Sequence, residues 1–170
     1  MKLPNKKYSI IVCDPPWRYN FAKSKTRQIE NQYPTMATEE IKALNIKSIC
    51  ETNTLLLLWT TAPKLLDALL LLQHWEFTYK TNYVWHKSIL GMGFWSRVCH
   101  EHILIGTRGS FAPPAPQQRR SSVIQYPSAK HSQKPEILID YLDIWYPNLS
   151  KIELFARTRR LGWDAWGNEA

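Results

Sequence analysis

The sequence predicts an α/β fold, an open and mostly parallel sheet flanked by helices. Three observations point to it. Short apolar runs recur at Tyr8–Cys13, Thr54–Trp59, Phe77–Trp85, Glu101–Gly106 and Lys151–Phe155, each of strand length. Segments with apolar residues at helical spacing fall between several of them, which is the βαβ pattern. Loops also follow Cys13 and Phe155 directly, at the carboxyl ends of predicted strands, where sheets of this class hold ligands.

Tyr8–Cys13 runs without a break into Asp14-Pro15-Pro16-Trp17, and two consecutive prolines end the strand and stiffen the loop. Residues 18–34 are polar, basic and without period, which predicts a mobile loop. Thr38, Glu39 and Glu40 open a helix with Ile41 and Leu44 on one face. Pro63 opens a second helix running to His74, since proline suits a first turn. Residues 109–121 form an irregular basic loop, and Val123–Tyr126 a short strand. Pro135–Trp145 is a helix with Ile137, Leu138, Tyr141, Leu142 and Trp145 at helical spacing. Gly162–Gly167 is a tight, aromatic-rich ending. With 170 residues, the expectation is one domain spanning the whole chain, with mobile substrate loops near 18–34 and 109–121.

The charge is uneven. The chain carries a formal net charge of +8. Residues 1–30 hold net +5, residues 111–134 net +4 and residues 151–164 net +2. This fits a polyanion such as nucleic acid, or simply a basic surface. A hydrophobic content of 44% argues against disorder. The Leu-rich stretches are too short and too interrupted to span a bilayer. Cys13, Cys50 and Cys99 are widely spaced, so neither a zinc site nor a disulfide framework is indicated. With no signal peptide visible, the expected location is the cytoplasm.

Asp14-Pro15-Pro16-Trp17 carries the chemistry. An exocyclic base amine is a poor nucleophile, because its lone pair is delocalised into the ring. A carboxylate accepting one N–H and a carbonyl accepting the other pull the nitrogen toward tetrahedral geometry. Asp14 supplies the carboxylate, Pro15 the carbonyl and Trp17 a ring to stack on the base, while the prolines hold them in place.

Further segments accompany this one: Tyr33-Pro34-Thr35-Met36 with Glu40-Ile41, Leu57–Thr61, Gly91–Glu101, His131–Pro135, Glu153–Arg157, and Trp163 with Gly167-Asn168-Glu169. Together they resemble the N6-adenine methyltransferases related to the catalytic subunit of the eukaryotic mRNA adenosine methyltransferase, in particular their small bacterial and phage DNA-modifying branch. The resemblance runs over roughly residues 8–170.

The resemblance implies a Rossmann-like fold with permuted motif order and S-adenosyl-L-methionine as methyl donor. It assigns catalysis to Asp14, Pro15, Pro16 and Trp17, and the cofactor to Asp14, Lys134, Phe155, Arg157, Asn168 and Glu169. Lys134 would meet the cofactor's carboxylate, while Arg157, Asn168 and Glu169 would hold its ribose and adenine side. Where the eukaryotic relative has Arg-x-His-Asn, this chain has Arg157-Thr158-Arg159-Arg160, so Arg160 is not counted among the contacts.

The expected reaction is methylation of the adenine 6-amino group in DNA, at a specific site, with RNA as the alternative substrate. Arg18, Lys23, Lys25, Arg27, Trp95, Arg97, Arg119 and Arg120 are the candidate nucleic-acid contacts, and a homodimer could share that task. No metal is expected: His100-Glu101-His102 reads as a hydrogen-bonded structural pair at the pocket rim, without a third ligand at metal spacing. Two other classes compete. A non-catalytic nucleic-acid-binding subunit would be expected to lose the Asp-Pro-Pro-Trp segment, and a small-molecule methyltransferase would not need clustered basic charge.

Overall fold

A computed structural model describes residues 2–19, 34–127 and 134–167. Its strands are β1 (Tyr8–Cys13), β2 (Cys50–Thr60), β3 (Thr78–His86), β4 (His100–Arg108), β5 (Val123–Gln125), β6 (Lys151–Leu154) and β7 (Asp164–Trp166). They form one sheet in the order β5-β3-β4-β2-β1-β6-β7. The helices are α1 (Thr38–Lys42), α2 (Leu65–His74) and α3 (Ile137–Trp145).

The central strand β1 shows how the chain builds three layers. Its side chains alternate between the faces of the sheet. Ile11 and Cys13 pack with Leu56, Leu58 and Leu104 against Ile41 of α1 and Ala68, Leu71 and Leu72 of α2. Ile10 and Val12 pack with Leu55, Leu57 and Ile103 against Leu138, Ile139 and Leu142 of α3. Both faces are therefore buried, which is why β1 and the second half of β2 read as continuous apolar runs. Gly106 of β4 lets α2 come close: a Cβ there would lie 2.9 Å from a Leu72 methyl.

β1 is parallel to β2 and β6, β6 to β7, and β3 to β5. The sheet is mostly parallel, as predicted, but β4 runs antiparallel to both of its neighbours. Residues 87–99 between β3 and β4 contain no helix, so β4 returns as a hairpin and not through a crossover.

The predicted elements recur with small shifts. β2 begins four residues early, at Cys50, because its exposed Glu51, Thr52 and Asn53 carry no apolar signal. Pro63 sits in a 3₁₀ turn, Ala62–Lys64, that feeds α2. The aromatic ending contains the edge strand β7, which pairs with β6. No helix among the described residues is long and apolar enough to cross a membrane.

Candidate active site

Asp14 leaves the end of β1 at the carboxyl edge shared by β1, β2 and β6, and its N–H donates to the Leu154 carbonyl at 3.5 Å. The next three residues are pinned one by one. The Trp17 N–H donates to the Pro15 carbonyl at 2.8 Å, closing a three-residue turn around Pro16. The Met36 N–H donates to the Pro16 carbonyl at 2.7 Å, and the Arg18 N–H to the Met36 carbonyl at 3.0 Å. The indole Nε1 of Trp17 donates to the Trp59 carbonyl at 3.1 Å, tying the segment to β2.

A chain of charges runs through the site. Lys134 Nζ stands 2.8 Å from Asp14 Oδ2 and 3.4 Å from Glu101 Oε2. The other Glu101 oxygen is bound by Lys87 Nζ. The Lys134 ammonium also lies over the Trp59 ring, 5.4 Å from its centroid. Burial pushes the Asp14 carboxyl above its ordinary range, Lys134 pulls it back without cancelling the effect, and Glu101 adds to the rise. Burial alone would lower Lys134, but Asp14 and Glu101 override it and hold the ammonium above its usual value. Glu101 is also buried, yet Lys134 and Lys87 bring its carboxyl below the usual range. Glu153 is raised, first by burial and then by Asp14.

Two clefts meet at this chain. The larger, of about 570 Å³, is walled by Asp14, Pro15, Pro16, Thr61, Lys87, Met92, His100 and Ala156. The smaller, of about 300 Å³, is walled by Val12, Leu57, Trp59, Glu136, Glu153, Thr158 and Arg160. Asp14, Lys134, Phe155 and Arg157 border both. Phe155 directly follows β6 with φ at 61°, in the left-handed region a bulky side chain rarely enters. The turn is held by the Ala156 N–H donating to the Trp166 carbonyl at 3.1 Å and by an edge contact between the Phe155 and Trp166 rings. Gly167 makes room for it: a Cβ there would lie 2.5 Å from the Ala156 carbonyl oxygen.

The structure thus gathers Asp14, Pro15, Pro16, Trp17, Lys134, Phe155 and Arg157. Asn168, Glu169, Lys23, Lys25 and Arg27 lie outside the described residues, as does most of the predicted 18–34 loop. Trp17 lines the larger cleft, as the expectation of a ring beside the base requires, but it has a second role. It is only 3% exposed, packs in the core and spends its N–H on β2, so it anchors the segment and meets the larger cleft with no more than a narrow part of its ring.

Arg18 sits just past the site, its guanidinium on the Thr35 carbonyl and hydroxyl and near Glu40. Arg97 is folded onto its own loop, donating to the Gly91 and Leu90 carbonyls. Arg119 and Arg120 do not reach the clefts. Because β4 is reversed, loop 109–121 leaves from the opposite end of the sheet, where Arg119 bonds the Pro114 carbonyl, and it then runs back along α3, where Arg120 covers the Tyr141 ring. Trp95 is fully exposed on the hairpin beside the larger cleft.

Sequence reasoning missed Glu101, Lys87 and Arg160. Glu101 was taken for part of a rim, though its place in the strand opposite the catalytic loop was readable from the segment Gly91–Glu101. Arg160 walls the smaller cleft and is bound there by Glu136 at 2.8 Å and Asp140 at 3.1 Å.

Known proteins align with the whole of this arrangement. The MT-A70 family profile matches residues 8–169, from β1 through β7. The type II methyltransferase M.MunI of a Mycoplasma species is 35% identical over 99% of this chain and 80% of its own length. A putative N(6)-adenosine-methyltransferase MT-A70-like protein of Medicago truncatula is 28% identical, and the chain spans 26% of it. The human N(6)-adenine-specific methyltransferase METTL4 is 27% identical, with 38% of its length covered. A match that takes in every strand of the sheet and every described residue of the charge chain places this protein in the MT-A70 family.

Proposed function

We propose that the protein transfers a methyl group from S-adenosyl-L-methionine to the 6-amino group of adenine in DNA, at a specific site. The observation that carries this is the position of Asp14, which borders both clefts, with Pro15 beside it on the wall of the larger one. The larger cleft suits one base. Asp14 accepts one amine N–H and the Pro15 carbonyl the other. A carboxylate offers several lone pairs and a carbonyl two, so the existing bonds to Lys134 and to the Trp17 N–H leave both able to accept. The pair draws the amine lone pair out of the ring and aims it at the smaller cleft. The amine would gain a bond to the methyl carbon as the methyl–sulfonium bond breaks, leaving a neutral thioether, and would then lose one proton, for which the raised Asp14 carboxylate is a suited acceptor.

The donor set of the smaller cleft fits the cofactor: an ammonium at Lys134 for a carboxylate, a carboxyl at Glu153 for hydroxyls, and apolar Val12 and Leu57 beside them. When bound, S-adenosyl-L-methionine supplies a methyl group on a sulfonium centre. Lys134 would hold its carboxylate, Phe155 lines the same cleft, and Arg157, Asn168 and Glu169 would hold its ribose and adenine side, as the resemblance implies.

DNA is favoured over RNA because the alignment with the type II methyltransferase covers most of that relative, whereas it covers about a quarter of the plant N(6)-adenosine-methyltransferases. The test is incubation with labelled cofactor and matched DNA and RNA oligonucleotides, followed by mass spectrometry of the nucleosides. N6-methyladenine in DNA is expected, and Asp14→Asn abolishes it. Methyl groups on RNA alone would move the assignment to RNA. Full transfer by Asp14→Asn would overturn it.

A further inference from the structure

The hairpin 87–99 displays an unusual run of apolar side chains to solvent. Ile89 is 61% exposed, Leu90 58%, Met92 80%, Phe94 75% and Trp95 102%. Scattered exposed apolar residues are ordinary, but a contiguous set marks a binding surface. The display is built and braced. Lys87 N–H donates to the Cys99 carbonyl and Gly91 N–H to the Val98 carbonyl, both at 2.8 Å, and the Arg97 guanidinium ties the Leu90 and Gly91 carbonyls together. The hairpin also sits at the site: Gly91, Met92 and Val98 form part of the wall of the cleft that contains Asp14 and Pro15.

An adenine inside a duplex cannot present its amine to a cleft that size. The base must leave the stack, and the space it vacates costs stacking energy on both sides. Proteins that open duplexes recover part of this by inserting an apolar side chain between base steps. We propose that the tip Met92–Trp95 is such a wedge, with the Trp95 indole filling the place of the target adenine as the base enters the cleft. This rests on the reading of the chain as a base-modifying enzyme. Trp95 is the suitable residue because its ring is wholly exposed, so it gives up little packing on insertion, and a base offers it a flat face of similar size. Charge separates this occupant from a second copy of the chain. Lys87 at the base is paired with Glu101, and between residues 88 and 99 the one charge is Arg97, with no acid, so two tips facing each other repel while phosphates attract.

The experiment compares wild type with Trp95→Ala on three DNA substrates: a duplex with paired adenine, the same duplex with the adenine opposite an abasic site, and the single strand. The ratio of paired to single-strand rate is expected to fall about tenfold or more in the variant, and the abasic duplex to behave like the single strand. In parallel, 2-aminopurine at the target position brightens when the wild type binds the paired duplex, and this signal is lost in the variant. Equal loss on all three substrates, no loss on any, or an unchanged 2-aminopurine signal would overturn the wedge. So would a wild-type dimer that Trp95→Ala converts to monomer in sedimentation, which would make the tip a protein interface. If the wild type methylates none of the three, the underlying reading fails, while the 2-aminopurine arm still decides the wedge.

Discussion

Lys134 Nζ lies 2.8 Å from Asp14 Oδ2, which joins the start of the α3 segment to the end of β1. The same ammonium reaches Glu101 on β4, so one cation holds three separate parts of the chain. It neutralises two carboxylates and, under the proposed function, meets the cofactor's carboxylate, which makes it the most informative residue to remove. Lys134→Met is expected to lower methyl transfer about a hundredfold or more and to weaken cofactor binding. It also leaves the buried Asp14 carboxylate without its cation, with Glu101 held by Lys87 alone, at a cost of about 3–5 kcal/mol. Urea unfolding and equilibrium binding of labelled cofactor separate the two effects.

The pH profile reports on the same cluster. Asp14 must be ionised to accept an amine proton, and burial holds its carboxyl above the ordinary range. Transfer is therefore expected to fall on the acid side at a pH above the usual carboxylate midpoint. Glu101→Gln removes a like charge and moves that acid limb to lower pH. Lys134→Met removes the opposing charge and moves it to higher pH, provided the residual rate is measured in single turnovers. Shifts in the same direction would disprove the arrangement.

Asp14 also carries a stability signature. A carboxyl raised in the folded state contributes stability at pH below its ordinary value, and that contribution is lost as pH rises through the raised one. At pH 8 the ionised Asp14 is therefore not a net stabiliser. Asp14→Asn is expected to abolish transfer while unfolding within about 1 kcal/mol of wild type. A large loss of stability in that variant would show Asp14 to be structural.

Trp17→Phe tests the anchor. It removes the bond to the Trp59 carbonyl and leaves that buried acceptor short, at about 1–2 kcal/mol. A ring that stacked on substrate would tolerate Phe with little change in stability. A drop in urea midpoint with KM nearly constant is the expected result.

Gly167→Ala tests the turn beside the clefts. The new methyl would overlap Ala156, 2.5 Å from its oxygen and 2.8 Å from its nitrogen, both rigid backbone atoms. A loss of about 1–3 kcal/mol is expected, with weaker cofactor binding because Phe155 sits in the same turn.

Much of the sheet was legible because buried strands write themselves as apolar runs. β1 was read with its bounds as they stand, Tyr8–Cys13. Strand direction has no such signature, and the reversal of β4 follows from a hairpin whose residues carry no turn signal stronger than Gly91 and Gly93. Asp14 and Lys134 were legible from motif resemblance, but their mutual pairing was not, since 120 positions separate them in the chain. Trp17 is ambiguous for a related reason. Its type suits stacking and core alike, and only the fold shows it packed with Ile41 of α1 and Met36 and bonded to the Trp59 carbonyl.

The reversal of β4 has a practical side. It sends the first part of loop 109–121 away from the end of the sheet where Asp14 stands, to Phe111 and Ala112 beside Tyr146, none of which lines either of the two clefts. Extra sequence grafted at Phe111–Ala112 would stand apart from Asp14 and both clefts. A DNA-recognition module, a fluorescent reporter or new chain ends could be accommodated at this loop, giving the scaffold a separate point at which target choice can be engineered.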